Sequence, residues 1–341
     1  MTEEQTTLAD GRPTANASAP NVLIRYAGFW RRFVAFVVDL LLLGTLGQLL
    51  GLFFARQFAE LGQAGRLVGV VIAAAYLIPS HRLWGRTLGM RLLGTRVQNL
   101  DGERLTWASA SIRYVALAVP WFANGLVFTG GGVPWGVLIV AAVVFGSVLF
   151  IGLLGNAYLL IFNRPTRRLI HDLLAGTVVV RADAVPGRAD PHEVRLRPVH
   201  TAIVALIPVA ILAVVAWLWV RLAVSERQMA ELVHAQAALT QMPNVLQGTL
   251  VDQQRFSPGG KSHTVDVTLW VIRWDESENR TLRRQAVAVV LQEYPRSQHV
   301  DGISVQVTWG YDIGIASLWR RFGEVRTVNE WQAMLGAGAR T

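Results

Sequence analysis

The sequence predicts an α-helical polytopic membrane protein of about five transmembrane helices with a C-terminal soluble α/β domain. Three observations predict it. The 341 residues are 52% hydrophobic and only 16% charged, whereas a soluble domain carries about a quarter charged residues. Five apolar segments approach or exceed the roughly 20 residues that a helix needs to cross the hydrocarbon layer. Beyond the last of them the pattern turns to strict alternation and amphipathic periodicity, which suit strands and helices in water.

Residues 1–24 are polar, contain Asn16, Ser18, Pro13 and Pro20, and lack the basic-then-apolar order of a cleaved signal peptide. They read as a disordered cytoplasmic tail, with the first apolar segment as an uncleaved anchor. The spans are Phe33–Phe54, Leu61–Ser80, Tyr114–Thr129 and Val133–Phe162, forming a membrane domain over residues 25–182. Arg66 interrupts the second and the third is short. A cytoplasmic linker over 183–200 leads to a fifth transmembrane helix over 201–222, and residues 223–341 form an extracytoplasmic α/β domain. Arginine sets the orientation. With the N-terminus inside, the short outer loops hold only Arg56 and Arg66, while the inner stretches are rich in arginine, as the positive-inside rule requires. Trp121, Trp135, Trp217 and Trp219 lie near span ends, where indole rings anchor at the interface.

Within the inner loop, GTRVQNLDGERLTW (94–107) alternates around Asp101-Gly102, which predicts a hairpin. GTVVVRA (176–182) predicts another strand, so a small cytoplasmic β element caps the helices. In the C-terminal region, 225–242 predicts a helix that continues the fifth span as a stalk, 264–274 a strand, 281–295 a helix ended by Pro295, 303–312 a strand, and 316–334 further helix. Trp270, Trp274, Trp309 and Tyr311 are expected to build the core of that domain.

Composition excludes several function classes. With no cysteine there is no disulfide, thiolate nucleophile or Cys-ligated metal. The net charge is +9, yet Lys261 is the only lysine, and arginine usage of this kind reflects genome composition, so no nucleic-acid partner is expected. Neither HExxH nor GxSxG occurs, and the seven histidines form no ligand pattern. The GKS at 260–262 lacks the first phosphate-loop glycine, because residue 255 is Arg255. His263 and His299 read as surface or strand-edge residues. The expectation is a protein that is no enzyme and has no catalytic residue, cofactor or metal.

One carboxylate stands out. Asp39 is the only acid in the five spans. At a helix centre it costs roughly 2.5–3.5 kcal/mol, which the surrounding Leu, Val and Phe offset at about 0.3–0.6 each. It still requires a partner or a water-filled cavity. Arg32, seven residues earlier, shares nearly the same face about 10 Å away, and Ala35 between them lets another helix approach closely. Gly47 and Gly51 form a GxxxG on a different face, a spacing that promotes helix association.

RFVAFVVD (32–39), GRTLGMRLLGTRVQNLDGERLTW (85–107) and LIHDLLAGTVVVR (169–181) together resemble the three motif blocks of the RDD family, over roughly residues 25–182. The resemblance implies that Arg32, Asp39 and Asp172 are the signature residues, and Met90 stands where the family often has lysine. It implies a multi-pass protein of the bacterial cytoplasmic (inner) membrane, in a family some of whose members are linked to sodium/proton exchange. Two functions stand side by side. In one, Asp39 alternates between protonated and cation-bound forms while Arg32 biases its affinity for protons, moving a monovalent cation or proton, with His171 and Asp172 as a relay. In the other, Arg32, Asp39 and Asp172 only fix helix packing, and the protein is a scaffold or sensor whose outer domain binds a protein partner. Oligomeric state is not legible. The orientation predicts that, in this cysteine-free chain, a single cysteine at position 262 reacts with an impermeant maleimide from outside intact cells and one at position 102 does not.

Overall fold

The computed structural model describes residues 24–124, 135–164, 166–183, 187–222, 226–257 and 260–338. The tail over 1–23, the end of the third expected span over 125–129, and residues 258–259 of the GKS turn lie outside the described residues.

The helical half starts with α1 (Phe29–Leu61), turned by a short 3-10 segment into α2 (Arg66–Pro79), followed by α3 (Leu88–Leu92) and β1 (Thr95–Asn99). Then come α4 (Trp107–Ala123), α5 (Trp135–Phe150), α6 (Asn156–Phe162), α7 (Ile170–Leu174), β2 (Thr177–Arg181), α8 (Pro191–Val194) and α9 (Pro198–Leu222). Thr87 and Thr106 accept hydrogen bonds from Met90 N and Ser109 N, capping α3 and α4. Two helical stretches among the described residues are long and apolar enough to cross a membrane, Phe29–Trp84, which includes the turn between α1 and α2, and Val144–Phe162. Only 22% and 18% of their most apolar windows are buried, so their apolar surface is not consumed by an internal core.

The expected hairpin at Asp101-Gly102 is corrected. The turn forms, with Asn99 N donating to Glu103 O and Gly102 at φ +92, but no second strand follows it. β1 pairs instead with β2, antiparallel, Val97 opposite Val179. Val178, Val179 and Val180 are all buried, so a fully apolar strand outcompetes ERLT for the edge of β1.

The C-terminal half contains α10 (Glu226–Thr240), β3 (Val245–Ser257), β4 (Gly260–Val271), α11 (Glu276–Glu293), β5 (Gly302–Asp312), β6 (Ser317–Arg326) and α12 (Val328–Gly338). The sheet order is β3-β4-β5-β6, with β4 and β5 parallel across the α11 crossover and the outer pairs antiparallel. Asp275 caps α11 through Ser277 N and Glu278 N. Ala235 and Leu239 of α10, Ala286, Val287 and Val290 of α11, and Trp331 of α12 share one core with Val265, Val267, Ile303 and Val305. Residues 226–240 form the expected helix, whose apolar side is buried in this core, while its join to the fifth span over 223–225 lies outside the described residues. Of the helix expected over 316–334, residues 317–326 are a strand instead and 328–334 lie in α12. β6 is an edge strand exposed along most of its length, so no alternation of burial marks it in the sequence; Arg320 and Arg326 stack on Trp274 and Trp331.

The two halves meet at the β5-β6 turn. Ile313 and Tyr311 pack with Phe58, against Leu50, Ala55 and Val68, so the turn seats between α1 and α2. Glycine makes this possible: a Cβ on Gly51 would fall 1.7 Å from the Tyr311 hydroxyl, and one on Gly69 would fall 1.8 Å from Ile313 O. The turn's polar groups are satisfied. Ile313 N donates to Ala316 O, Gly314 N to Asp312 Oδ1, and Trp121 Nε1 to Gly314 O. Tyr311 therefore leaves the expected core of the C-terminal domain and Trp270 does not join it, whereas Trp274 and Trp309 do pack against it. The Gly47-Gly51 pair receives this turn rather than another helix.

Gly69→Ala is expected to displace the turn and destabilise the protein by about 1–3 kcal/mol, as overpacking does. Gly146→Ala, with open space around its Cβ position, is expected to leave the thermal midpoint unchanged or higher; the two melts in one detergent decide this.

Candidate functional site

Arg32, Ala35, Asp39, Leu43, Gly47 and Gly51 form one buried stripe on α1. Most of its steps are four residues long, and each such step advances about 40° beyond a full turn. The stripe therefore winds around α1 and meets different neighbours at each end. Arg32 faces α7 and the segment before it, Asp39 faces α3, and the glycines face the β5-β6 turn.

Asp172 is fully buried and joins the first of these levels. Arg32 Nη2 and Arg113 Nη1 each donate to a different carboxylate oxygen of Asp172. Leu169 N donates to Asp172 Oδ2 at 3.0 Å, so the side chain of Asp172, in the first turn of α7, also holds the backbone of the residue that caps the helix. Arg113 also donates to Thr177 Oγ1 at 3.1 Å. Arg32 Nη1 donates to Arg167 O, presented by a residue at φ +51. Arg168 donates to Thr177 O and to Asp172 O. One carboxylate thus ties α1, α4, α7 and the start of β2 together, with a surplus of buried positive charge around it.

Asp39 has a separate set of partners. Its Oδ1 accepts from Tyr76 OH at 2.7 Å and from Gly89 N at 2.8 Å, and its Oδ2 accepts from Thr87 Oγ1 at 2.5 Å. Leu88 N donates in turn to the Tyr76 oxygen at 2.9 Å. A Cβ on Gly89 would lie 2.1 Å from Ala35 O, so the close approach expected at Ala35 is made by α3. Arg32, Asp39 and Asp172 lie on neighbouring levels of one assembly, but the hydrogen bonds of Arg32 reach Asp172 and Arg167 and those of Asp39 reach α2 and α3. Met90 packs on the apolar cluster of Ala27, Val97, Leu105 and Val179.

His171 is buried beside Asp172, its Nε2 3.7 Å from Asp172 Oδ1, while its Nδ1 has no hydrogen-bond partner among the described residues. Burial, then the guanidiniums of Arg113 and Arg32, hold its imidazole well below the ordinary histidine range. His81 is buried nearby, and neither ring nitrogen has a hydrogen-bond partner among the described residues. No group of three metal-ligating side chains occurs among the described residues.

Sequence reasoning missed Arg113, Tyr76, Thr87 and Arg66. Arg113 was visible only as a charge at a span end, and Arg66 only as an interruption of the second span. Arg66 donates to Asp312 Oδ2 at 2.5 Å through Nη2 and to Phe122 O at 2.9 Å through Nη1, so it ties the β5-β6 turn to the end of α4.

This arrangement is that of a helical membrane domain locked by buried arginine–carboxylate pairs beneath a small β cap. Residues 26–176 match the RDD family model, so that segment is an RDD family domain. No curated protein and no solved structure matches the chain.

Two outcomes follow. Asp172→Asn leaves two buried guanidiniums without their carboxylate and is expected to cost about 3–5 kcal/mol. Asp39→Asn keeps an acceptor for Tyr76 and Gly89 and is expected to cost on the order of 1 kcal/mol; denaturant unfolding of both variants distinguishes them. His171 is neutral when folded and has its ordinary value of 6.5 when unfolded. The unfolded chain therefore binds the extra proton below that pH, and stability falls as pH drops from about 6.5 towards 5. His171→Asn is expected to make the thermal midpoint less steep across that window.

Proposed function

We propose that this membrane protein is a non-enzymatic scaffold or sensor, in which the C-terminal domain is extracytoplasmic, binds a protein partner, and is mechanically coupled to the RDD domain. The observation that carries this reading is the β5-β6 turn seated between α1 and α2 and held by the Arg66–Asp312 pair. Gly44 Cβ would touch Ile315 O, so the turn reaches to about 16 Å beyond Phe33 along α1, near the middle of the expected span. Irregular backbone at that depth is tolerated only where protein satisfies and covers it, and Ala316 O, Asp312 and Trp121 do so. A change in the outer domain that withdrew the turn would uncover the groove along α1 and α2. With Asp39 and Asp172 already supplied with donors, the charged network acts as the rigid base against which that movement works. The chain then sits in a bacterial cytoplasmic membrane with its N-terminus inside.

Transport of a proton or monovalent cation is the second reading, favoured by an intramembrane carboxylate flanked by two hydroxyls, Tyr76 and Thr87, that can rotate between donor and acceptor roles. Reconstituted protein distinguishes the two. The scaffold or sensor reading expects no proton flux driven by sodium, potassium or lithium in wild type or Asp39→Asn. It also expects Asp312→Ala, which removes the carboxylate that pairs with Arg66 and accepts from Gly314 N, to loosen the seated turn and lower the thermal midpoint. Flux in wild type that a stably folded Asp39→Asn abolishes would overturn it in favour of transport.

A further inference from the structure

We infer that a basic cavity between the β1-β2 cap and the first turn of α4 binds a phosphate-bearing anion. The cavity measures about 630 Å³ and its charged lining is Arg168, Arg188 and Arg195 against the single carboxylate of Asp101. Arg168 is buried and held by Thr177 O and Asp172 O, so one guanidinium of the lining is fixed from behind by the same carboxylate residue that organises the core. Arg188 and Arg195 make no hydrogen bond or ion pair among the described residues and are exposed at the rim. Asp101 is committed locally, its Oδ1 accepting from Glu103 N at 3.1 Å.

This leaves two rim guanidiniums, and guanidinium donors match phosphate oxygens in pairs. Ser109 Oγ, which accepts from Thr106 Oγ1 at 3.2 Å, retains its own hydroxyl hydrogen for a further acceptor. The volume admits a phosphate ester and is ordinary for a small-ligand cleft. Asp101 opposes any anion, but three guanidiniums outweigh it, and the same surplus of positive charge disfavours a cation.

The shared chemistry is a phosphate group, and it has two sources. Ser109 lies at the foot of an apolar helix, where an anionic lipid headgroup sits and where basic pockets recognise such headgroups. A soluble phosphate or diphosphate presents the same oxygens.

The test uses the full chain purified in a zwitterionic detergent. Binding of inorganic pyrophosphate is measured by calorimetry, and retention of phosphatidylglycerol against phosphatidylcholine by native mass spectrometry. Wild type is expected to bind at least one anionic probe, more weakly as salt rises. Arg188→Ala with Arg195→Ala should weaken that binding at least about tenfold without moving the thermal midpoint. Asp101→Asn should tighten it. Selective retention of phosphatidylglycerol without pyrophosphate binding assigns a lipid headgroup; pyrophosphate binding that the double variant loses assigns a soluble anion. If neither anionic probe binds, or the double variant binds as wild type does, the cavity is not an anion site.

Discussion

The buried carboxylate of Asp172 is the interaction on which the helical half depends. A single unpaired charge in that position would be prohibitive, and two guanidiniums from helices far apart in sequence resolve it. Because the same carboxylate holds the backbone at the start of α7, the helix end, the entry of α1, the start of α4 and the β1-β2 ribbon share one electrostatic origin. Burial first, and then the surplus of arginine over aspartate, keeps His171, packed against the group, neutral.

Above that level the problem of a charge in an apolar helix is solved a second time, by hydrogen bonds instead of ion pairing. Asp39 meets two hydroxyls and a backbone N–H at the start of α3. The short helix can approach because Gly89 lies flat against Ala35. The carboxylate thereby acts as an anchor for the turn between α2 and β1, a role in packing that also leaves it surrounded by groups able to move a proton.

The third level carries no charge on α1. Small residues there leave a groove, and a β turn fills it, with Arg66 and Asp312 closing the edge. A turn in such a place needs every polar group satisfied locally or by neighbours, and this one has Ala316 O, the Asp312 side chain and Trp121 as partners. Packing of this kind gives the C-terminal domain a direct hold on the helices, so the two halves of the chain are not merely tethered.

The apolar runs, the RDD motif blocks and the existence of an α/β module were legible in the sequence, because periodicity and composition are local properties that burial in one solvent or another imposes residue by residue. So were Arg32, Asp39 and Asp172 as residues that must find partners. Which partners they find was not legible. Arg113 reads as one more basic residue, Tyr76 as one more aromatic in a span, and Arg66 as a defect, until helices remote in sequence bring Asp172, Asp39 and Asp312 to them. The Gly47-Gly51 spacing likewise specified a groove and not its occupant. Local pattern determined most of the elements and their polarity by itself; the strand at 317–326, the pairing of charges, the β1-β2 partnership and the seating of the β5-β6 turn were decided only in the tertiary structure, since each depends on chain segments that sequence order does not place side by side.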